Sequence, residues 1–176
     1  MNAGATAISI GGDHYTTLPN LRAHAAKHGP VAIIQFDAHS DTWVDDDPDR
    51  MDHGTFMYRA IQEGLIVPEK SVQVGIRTTN EDTKGFNTLD ARFVHEHGPM
   101  ETAKRIKEIV GDHKVYLTFV SMVWTQHLHR VQVHLFLAGS HLARWRTFYA
   151  ILQALILLAA MWLKYHQPMT QPVLQP

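Results

Sequence analysis

Val31-Ala-Ile-Ile-Gln-Phe36, running straight into Asp37-Ala38-His39-Ser40-Asp41, is the stretch on which the architecture turns. A short apolar run bounded by polar residues reads as a buried strand, and the acidic and imidazole groups then stand at its C-terminal edge. Alternation along an extended chain sends positions 37, 39 and 41 to one side. Upstream, Gly11-Gly12-Asp13-His14 closes a second apolar run in the same way, so His14 can arrive from a neighbouring strand. Each motif alone has a structural reading: DxHxD as a turn with a helix cap, GGDH as a tight strand-to-helix corner. Together, at strand ends of an open α/β sheet, they fall where such sheets bind ligands. Carboxylates with imidazole and no thiol suit Mn²⁺ better than structural Zn²⁺.

Working outward, the pattern gives strand Ala7–Ile10, helix Leu18–His28, strand Val31–Phe36, helix Thr55–Glu63, strand Ser71–Ile76, a short strand near Arg92–His95, helix Met100–Val110 and strand Lys114–Phe119. Strands alternating with helices predict an α/β domain with a parallel sheet and crossovers. The chain has 176 residues, of which 45% are hydrophobic, enough for one domain with a core. A net charge of −1 gives no reason to expect a nucleic-acid partner. With no cysteine, disulfides and thiolate metal sites are excluded. No basic segment followed by an apolar one marks a signal peptide at the start.

Ser9-Ile10-Gly11-Gly12-Asp13-His14, Phe36-Asp37-Ala38-His39-Ser40-Asp41-Thr42, Asp52-His53-Gly54-Thr55-Phe56 and Gln73-Val74-Gly75-Ile76-Arg77-Thr78 occur in this order. They resemble the ureohydrolase (arginase/agmatinase) family, and the His-Gly-Thr-Phe form with Val115-Tyr116-Leu117-Thr118-Phe119 points to its agmatinase branch. The resemblance runs from residue 7 to residue 119. It implies an arginase-like three-layer fold and a binuclear Mn²⁺ centre. A Mn-bound hydroxide there attacks the guanidinium carbon of agmatine and releases putrescine and urea. It further implies that His14, Asp37 and Asp41 hold one ion, that Asp37 and His39 hold part of the other, and that His53 is an acid/base or substrate-orienting residue, although a histidine before Gly-Thr also serves as a loop anchor. Family members are cytoplasmic and form homo-oligomers, which sets the same expectation here.

Composition breaks after Phe119. All 17 acidic residues precede position 120, and the remainder holds three of the four tryptophans, five histidines and one glycine, Gly139. The family continues at this point with Asp-Ile-Asp-Gly-Leu-Asp-Pro, whereas this chain reads Val120-Ser-Met-Val-Trp-Thr-Gln126. Written as GTA TCG ATG GTC TGG ACC CAG, with one A restored after the first G, the codons become GAT ATC GAT GGT CTG GAC CCA and encode the family motif. With synonymous codons chosen in the same way, the same offset can yield a family-like Asp-Val-Val-Glu-Val-Ser-Pro stretch from Met161 to Pro176. The expectation is therefore a partial ureohydrolase domain over 1–119 and an out-of-frame tail over 120–176. Val120 and Met122 stand where two cluster carboxylates are expected, and Lys164 where the family has a guanidinium-binding Glu. The family also has strands ahead of the GGDH strand, so the front reads as shortened.

Four further features weigh toward ordinary roles. Asp45-Asp46-Asp47-Pro48-Asp49 reads as a solvated loop, since consecutive carboxylates repel and point apart. Arg77 reads as a structural ion pair before a substrate contact. His127, His129 and His134 imitate ligand spacing but arise from the shifted frame. Phe148–Leu163 is almost wholly apolar, yet a span needs about 20 such residues, so it predicts a marginal helix that exposes apolar surface, self-associates or touches a membrane. As written, the chain is expected to hold at most one Mn²⁺ weakly, and its rival readings are a catalytically dead metal-binding fragment and a membrane-associated protein anchored by Phe148–Leu163.

Overall fold

The structure, a computed structural model, describes residues 7–120 apart from 45, 48, 51 and 79, together with the backbone of 134–139. These residues all belong to the first of two compact units, Met1–Leu142 and Ala143–Pro176. The apolar segment Phe148–Leu163 and its predicted helix lie outside the described residues, as do His127, His129, Met122 and Lys164.

Strand β1 (Ala7–Gly11) leads through a 3-10 turn, His14–Thr16, into helix α1 (Thr17–His28). Gly29 ends α1 at φ 76°, a left-handed conformation open to glycine without steric cost. Strand β2 (Ala32–Phe36) follows, then a long loop and helix α2 (Phe56–Gln62), strands β3 (Val72–Val74) and β4 (Asn87–Leu89), helix α3 (Ala91–Val110), strand β5 (Val115–Val120) and strand β6 (His134–Gly139).

The sheet runs β1-β6-β5-β2-β3-β4. Strands β5, β2, β3 and β4 are mutually parallel, with Gln35 opposite Thr118 and opposite Gln73. That part is the predicted α/β parallel sheet. The sixth strand differs: β6 is antiparallel to both neighbours, pairing Leu137 with Ile8 on one side and with Leu117 on the other. A strand in that slot satisfies the backbone groups that β1 and β5 would otherwise leave as open edges.

Both faces of the sheet are covered. Val31 and Ile33 join Leu18, Leu21, Phe56, Met57 and Tyr116 in one cluster under α1 and α2. The alternating residues Ile34 and Leu117 stay out of that cluster and are buried all the same. Helix α3 lies against β3 and β4, burying Ala103, Ile106 and Val110.

A second difference concerns Arg92–His95, which is helical. Asp90 caps α3 by accepting from the Phe93 amide at 2.7 Å, and a capped N-terminus overrides the strand preference of Phe93-Val94. The predicted start at Met100 has its own cause, because Gly98 sits at φ 74°, ψ 177° ahead of Pro99 and breaks the helix there. Among the described residues no helix is long and apolar enough to cross a membrane.

Candidate metal centre

His14 opens the 3-10 turn after β1, and that turn is capped by Asp13, whose carboxylate accepts from the Tyr15 amide at 3.0 Å. Asp37 follows the last residue of β2, its own amide bound to Val74 O at 3.1 Å. The loop then bends, and Asp41 takes φ 53°, a left-handed conformation costing a non-glycine residue about 1 kcal/mol. The contact of the Met57 amide with Asp41 O at 3.1 Å, from the first turn of α2, holds it there.

This bend places the two carboxylates around one imidazole. His14 Nδ1 lies 2.6 Å from Asp41 Oδ2 and 2.9 Å from Asp37 Oδ2, and all three residues are buried. The ring is fixed on its other sides: Nε2 is 2.8 Å from Thr118 Oγ1, and the Phe56 ring lies beneath it at 4.4 Å between centroids. Asp37 Oδ1 accepts from the amides of Ala38 at 2.6 Å and His39 at 3.1 Å, leaving Oδ2 for the cluster.

Two glutamines brace the loop from beneath. Gln73 Nε2 donates to Gln35 Oε1 at 2.7 Å and to Ser40 O at 2.6 Å, while Gln35 Nε2 donates to His39 O at 3.1 Å. Both are buried in the middle of strands, where an unpaired amide would cost several kcal/mol in an apolar medium, so the network pins the loop from 37 to 41.

Charge follows from this packing. Burial by itself lowers the pKa of His14, but hydrogen bonds to Asp37 and Asp41 and their charges outweigh it and lift the imidazole to about 9. Burial pushes Asp37 up, yet its bonds to His14, His39 and the loop backbone hold it well below the usual carboxylate range. Asp41 goes the other way, because its burial exceeds what one shared imidazolium returns.

Such a set fits a divalent cation. Its three ligand atoms lie within 4.8 Å of one another, and they are the hard and borderline donors Mn²⁺ accepts. With both carboxylates ionised, one imidazolium cannot neutralise the pocket, and a cation offsets the remaining negative charge.

The other sequence-predicted residues stand apart. The strand ends at Phe36, so strict alternation does not carry through the bend, and His39 turns outward with 42% of its side chain exposed. Its Nδ1 is 3.5 Å from Asp37 Oδ1, the oxygen facing away from His14. His53 is exposed in the loop before α2, its Nδ1 4.0 Å from Asp52 Oδ1, and does not enter the cluster. Arg77 is exposed and lines a cleft of about 300 Å³ beside the loop, together with Ser40, Thr42, Asn80, Glu81 and Asp90. Val120, where a carboxylate was expected, is buried at the end of β5. Sequence reasoning missed Thr118, Phe56 and the Gln35–Gln73 pair. For Thr118 and the two glutamines the signal was a polar residue set inside an apolar strand.

Known proteins show the same arrangement of chain. Against an agmatinase of Chromobacterium violaceum the chain is 55% identical over 118 residues, 66% of this chain and 37% of that protein. A crystal structure described as a hypothetical agmatinase from Burkholderia thailandensis superposes with a TM-score of 0.60 at 58% identity, covering 61% of this chain and 34% of the other. The proclavaminate amidino hydrolase of Streptomyces clavuligerus gives 0.59 at 40% identity, covering 62% and 38%. The chain thus spans well under half the length of these relatives. Residues 1–123 match the model of the Arginase family, and on that match, the ordered motifs and the parallel sheet, the chain belongs to the arginase family.

Proposed function

We propose that residues 7–120 carry the first metal-holding part of an agmatinase-type ureohydrolase. The observation that supports this most is the buried group of His14, Asp37 and Asp41 at the end of a parallel sheet. These residues would hold Mn²⁺, which would lower the pKa of a bound water and so provide hydroxide for hydrolysis of agmatine to urea and putrescine. The chain's own residues do the rest. Asp37 and Asp41 provide negative charge where water is excluded, His14 adds a neutral nitrogen, and the backbone amides of residues 38 and 39 orient Asp37. Asp37 presents Oδ1 toward His39, the residue proposed to share a second ion. His53, exposed in the loop before α2, serves as the acid/base or substrate-orienting group.

For the 176-residue chain we propose metal binding without turnover. Val120 offers no ligand atom at the edge of β5, and Met122 cannot replace a carboxylate for a hard cation. A one-base deletion near codon 120 accounts for that change and for the loss of all acidic residues beyond it. Reading the nucleotide sequence decides this point: an unrelated downstream frame removes the frameshift account. Calorimetric titration with Mn²⁺ tests the site itself, with binding in the full chain expected and its survival in Asp37→Ala contradicting the assignment.

A further inference from the structure

The groups that lock His14 deserve a role of their own in the proposed metal site. Its imidazole meets the carboxylates through Nδ1, at 2.6 and 2.9 Å, and meets Thr118 Oγ1 through Nε2, at 2.8 Å. Thr118 has no solvent exposure, and its position is set by the β2–β5 register that places it opposite Gln35. Phe56 closes one ring face at 4.4 Å. A neutral imidazole carries its proton on one nitrogen only, and the hydrogen bond at the far nitrogen selects which. Without an ion, Nδ1 shares a proton with the carboxylates; with an ion held between Asp37 and Asp41, His14 would be neutral, the hydroxyl would accept from Nε2–H, and the Nδ1 lone pair would face the ion.

We infer that Thr118 is a positioning residue that selects the Nε2–H tautomer of His14 and so presents Nδ1 as the metal ligand. The inference rests on the metal reading of His14, Asp37 and Asp41. It separates the hydroxyl of Thr118 from its methyl group, because only the hydroxyl meets Nε2, while valine fills the same volume in a β-strand.

The test uses the full chain and Mn²⁺, with the free aqueous ion followed by electron paramagnetic resonance. Thr118→Val is expected to bind about 10- to 100-fold more weakly, as outer hydrogen-bond partners of metal ligands commonly do when removed. Thr118→Ser is expected to bind like the parent chain, and metal-free Thr118→Val to unfold cooperatively, though at a lower temperature for want of the buried hydrogen bond. Equal binding by parent and Thr118→Val overturns the inference. So does weak binding by both variants, which would make the effect one of packing. Should Thr118→Val fail to fold, ¹⁵N spectra of the Zn²⁺-loaded parent decide, with the His14 signal identified by its loss in His14→Gln. A proton on Nε2 is expected, and a proton on Nδ1 overturns the inference. If the parent binds no Mn²⁺ that Asp37→Ala removes, the metal reading itself fails before any Thr118 variant is compared, and the inference falls with it.

Discussion

Two buried histidines ten residues apart have opposite surroundings. His14 lies between two carboxylates and a hydroxyl at the end of the sheet, and its basicity is raised. His24 lies on the inner face of α1, edge-on to the Tyr116 ring at 5.5 Å and near His28 at 5.8 Å. Burial first, then the charges of His28 and Lys27, push its pKa down. Both are under a tenth exposed, so burial does not tell a ligand from a core residue. What differs is the company: carboxylates sharing the burial of an imidazole suit a cation, whereas aromatic and basic neighbours favour a neutral packing residue. A similar contrast runs across Asp37, whose Oδ2 side is enclosed by His14 and Asp41 while its Oδ1 side faces a half-exposed His39.

The widest expected effect concerns that second contrast. With one enclosed side only, the full chain given Mn²⁺ and agmatine is expected to release urea at the uncatalysed rate, a loss on the order of 10⁶-fold or more against an ordinary enzyme. Urea above background in a colorimetric assay, abolished by Asp37→Ala, would show that the open side is sufficient.

Metal stoichiometry sharpens the first contrast. No more than one Mn²⁺ per chain is expected, lost in His14→Ala and Asp37→Ala and retained in His24→Ala. Two tight sites in a calorimetric titration, or loss of binding in His24→Ala, would erase the distinction between the two histidines. Next in size is Phe56, fully buried in the core beneath His14. Phe56→Ala is expected to destabilise the domain by about 3–5 kcal/mol by leaving a cavity under the ring, read from denaturant unfolding. A change below about 1 kcal/mol would mean that the loop from 37 to 41 collapses freely onto the site, against the rigid packing found in protein interiors.

Much of this was legible in the sequence because it depends on neighbours along the chain. The strand end at Phe36 and, within one residue, the one at Gly11, the ligand types at 14, 37 and 41, and the α/β alternation all follow from local pattern. What was not legible depends on register and backbone geometry. Thr118 meets His14 across 104 residues, and only the β2–β5 pairing brings them together. The left-handed turn at Asp41 was hidden because aspartate tolerates φ > 0 without announcing it, and it decides that 37 and 41 converge while 39 does not. Two glutamines inside apolar strands, Gln35 and Gln73, were a readable signal of a buried polar network, but their partners are backbone oxygens of a loop whose bend could not be foreseen. The antiparallel β6 was unreadable, since neither alternation nor turn residues mark its direction in the sheet.

The smallest expected effect isolates His24. Its folded pKa lies below the ordinary value of 6.5, so the native state holds it neutral. That contribution is complete above pH 6.5 and is lost as the pH falls below it, because the unfolded chain takes up the proton first. The slope from one such group is at most about 1.4 kcal/mol per pH unit and flattens below the folded pKa. His14 has the opposite sign: its raised pKa adds stability that is present below 6.5 and fades as the pH climbs through about 9, so under pH 6.5 it contributes a constant. The His24 arm can therefore be read between pH 7.5 and 5.5 from the difference between the metal-free parent and His24→Gln. Glutamine does not titrate, so the variant should lose less melting temperature over that range. Asp41, whose pKa is raised by burial, titrates in both proteins and cancels in the comparison. Parallel curves for parent and variant would show that His24 is as free to protonate folded as unfolded, and the contrast between the two histidines would then rest on His14 alone.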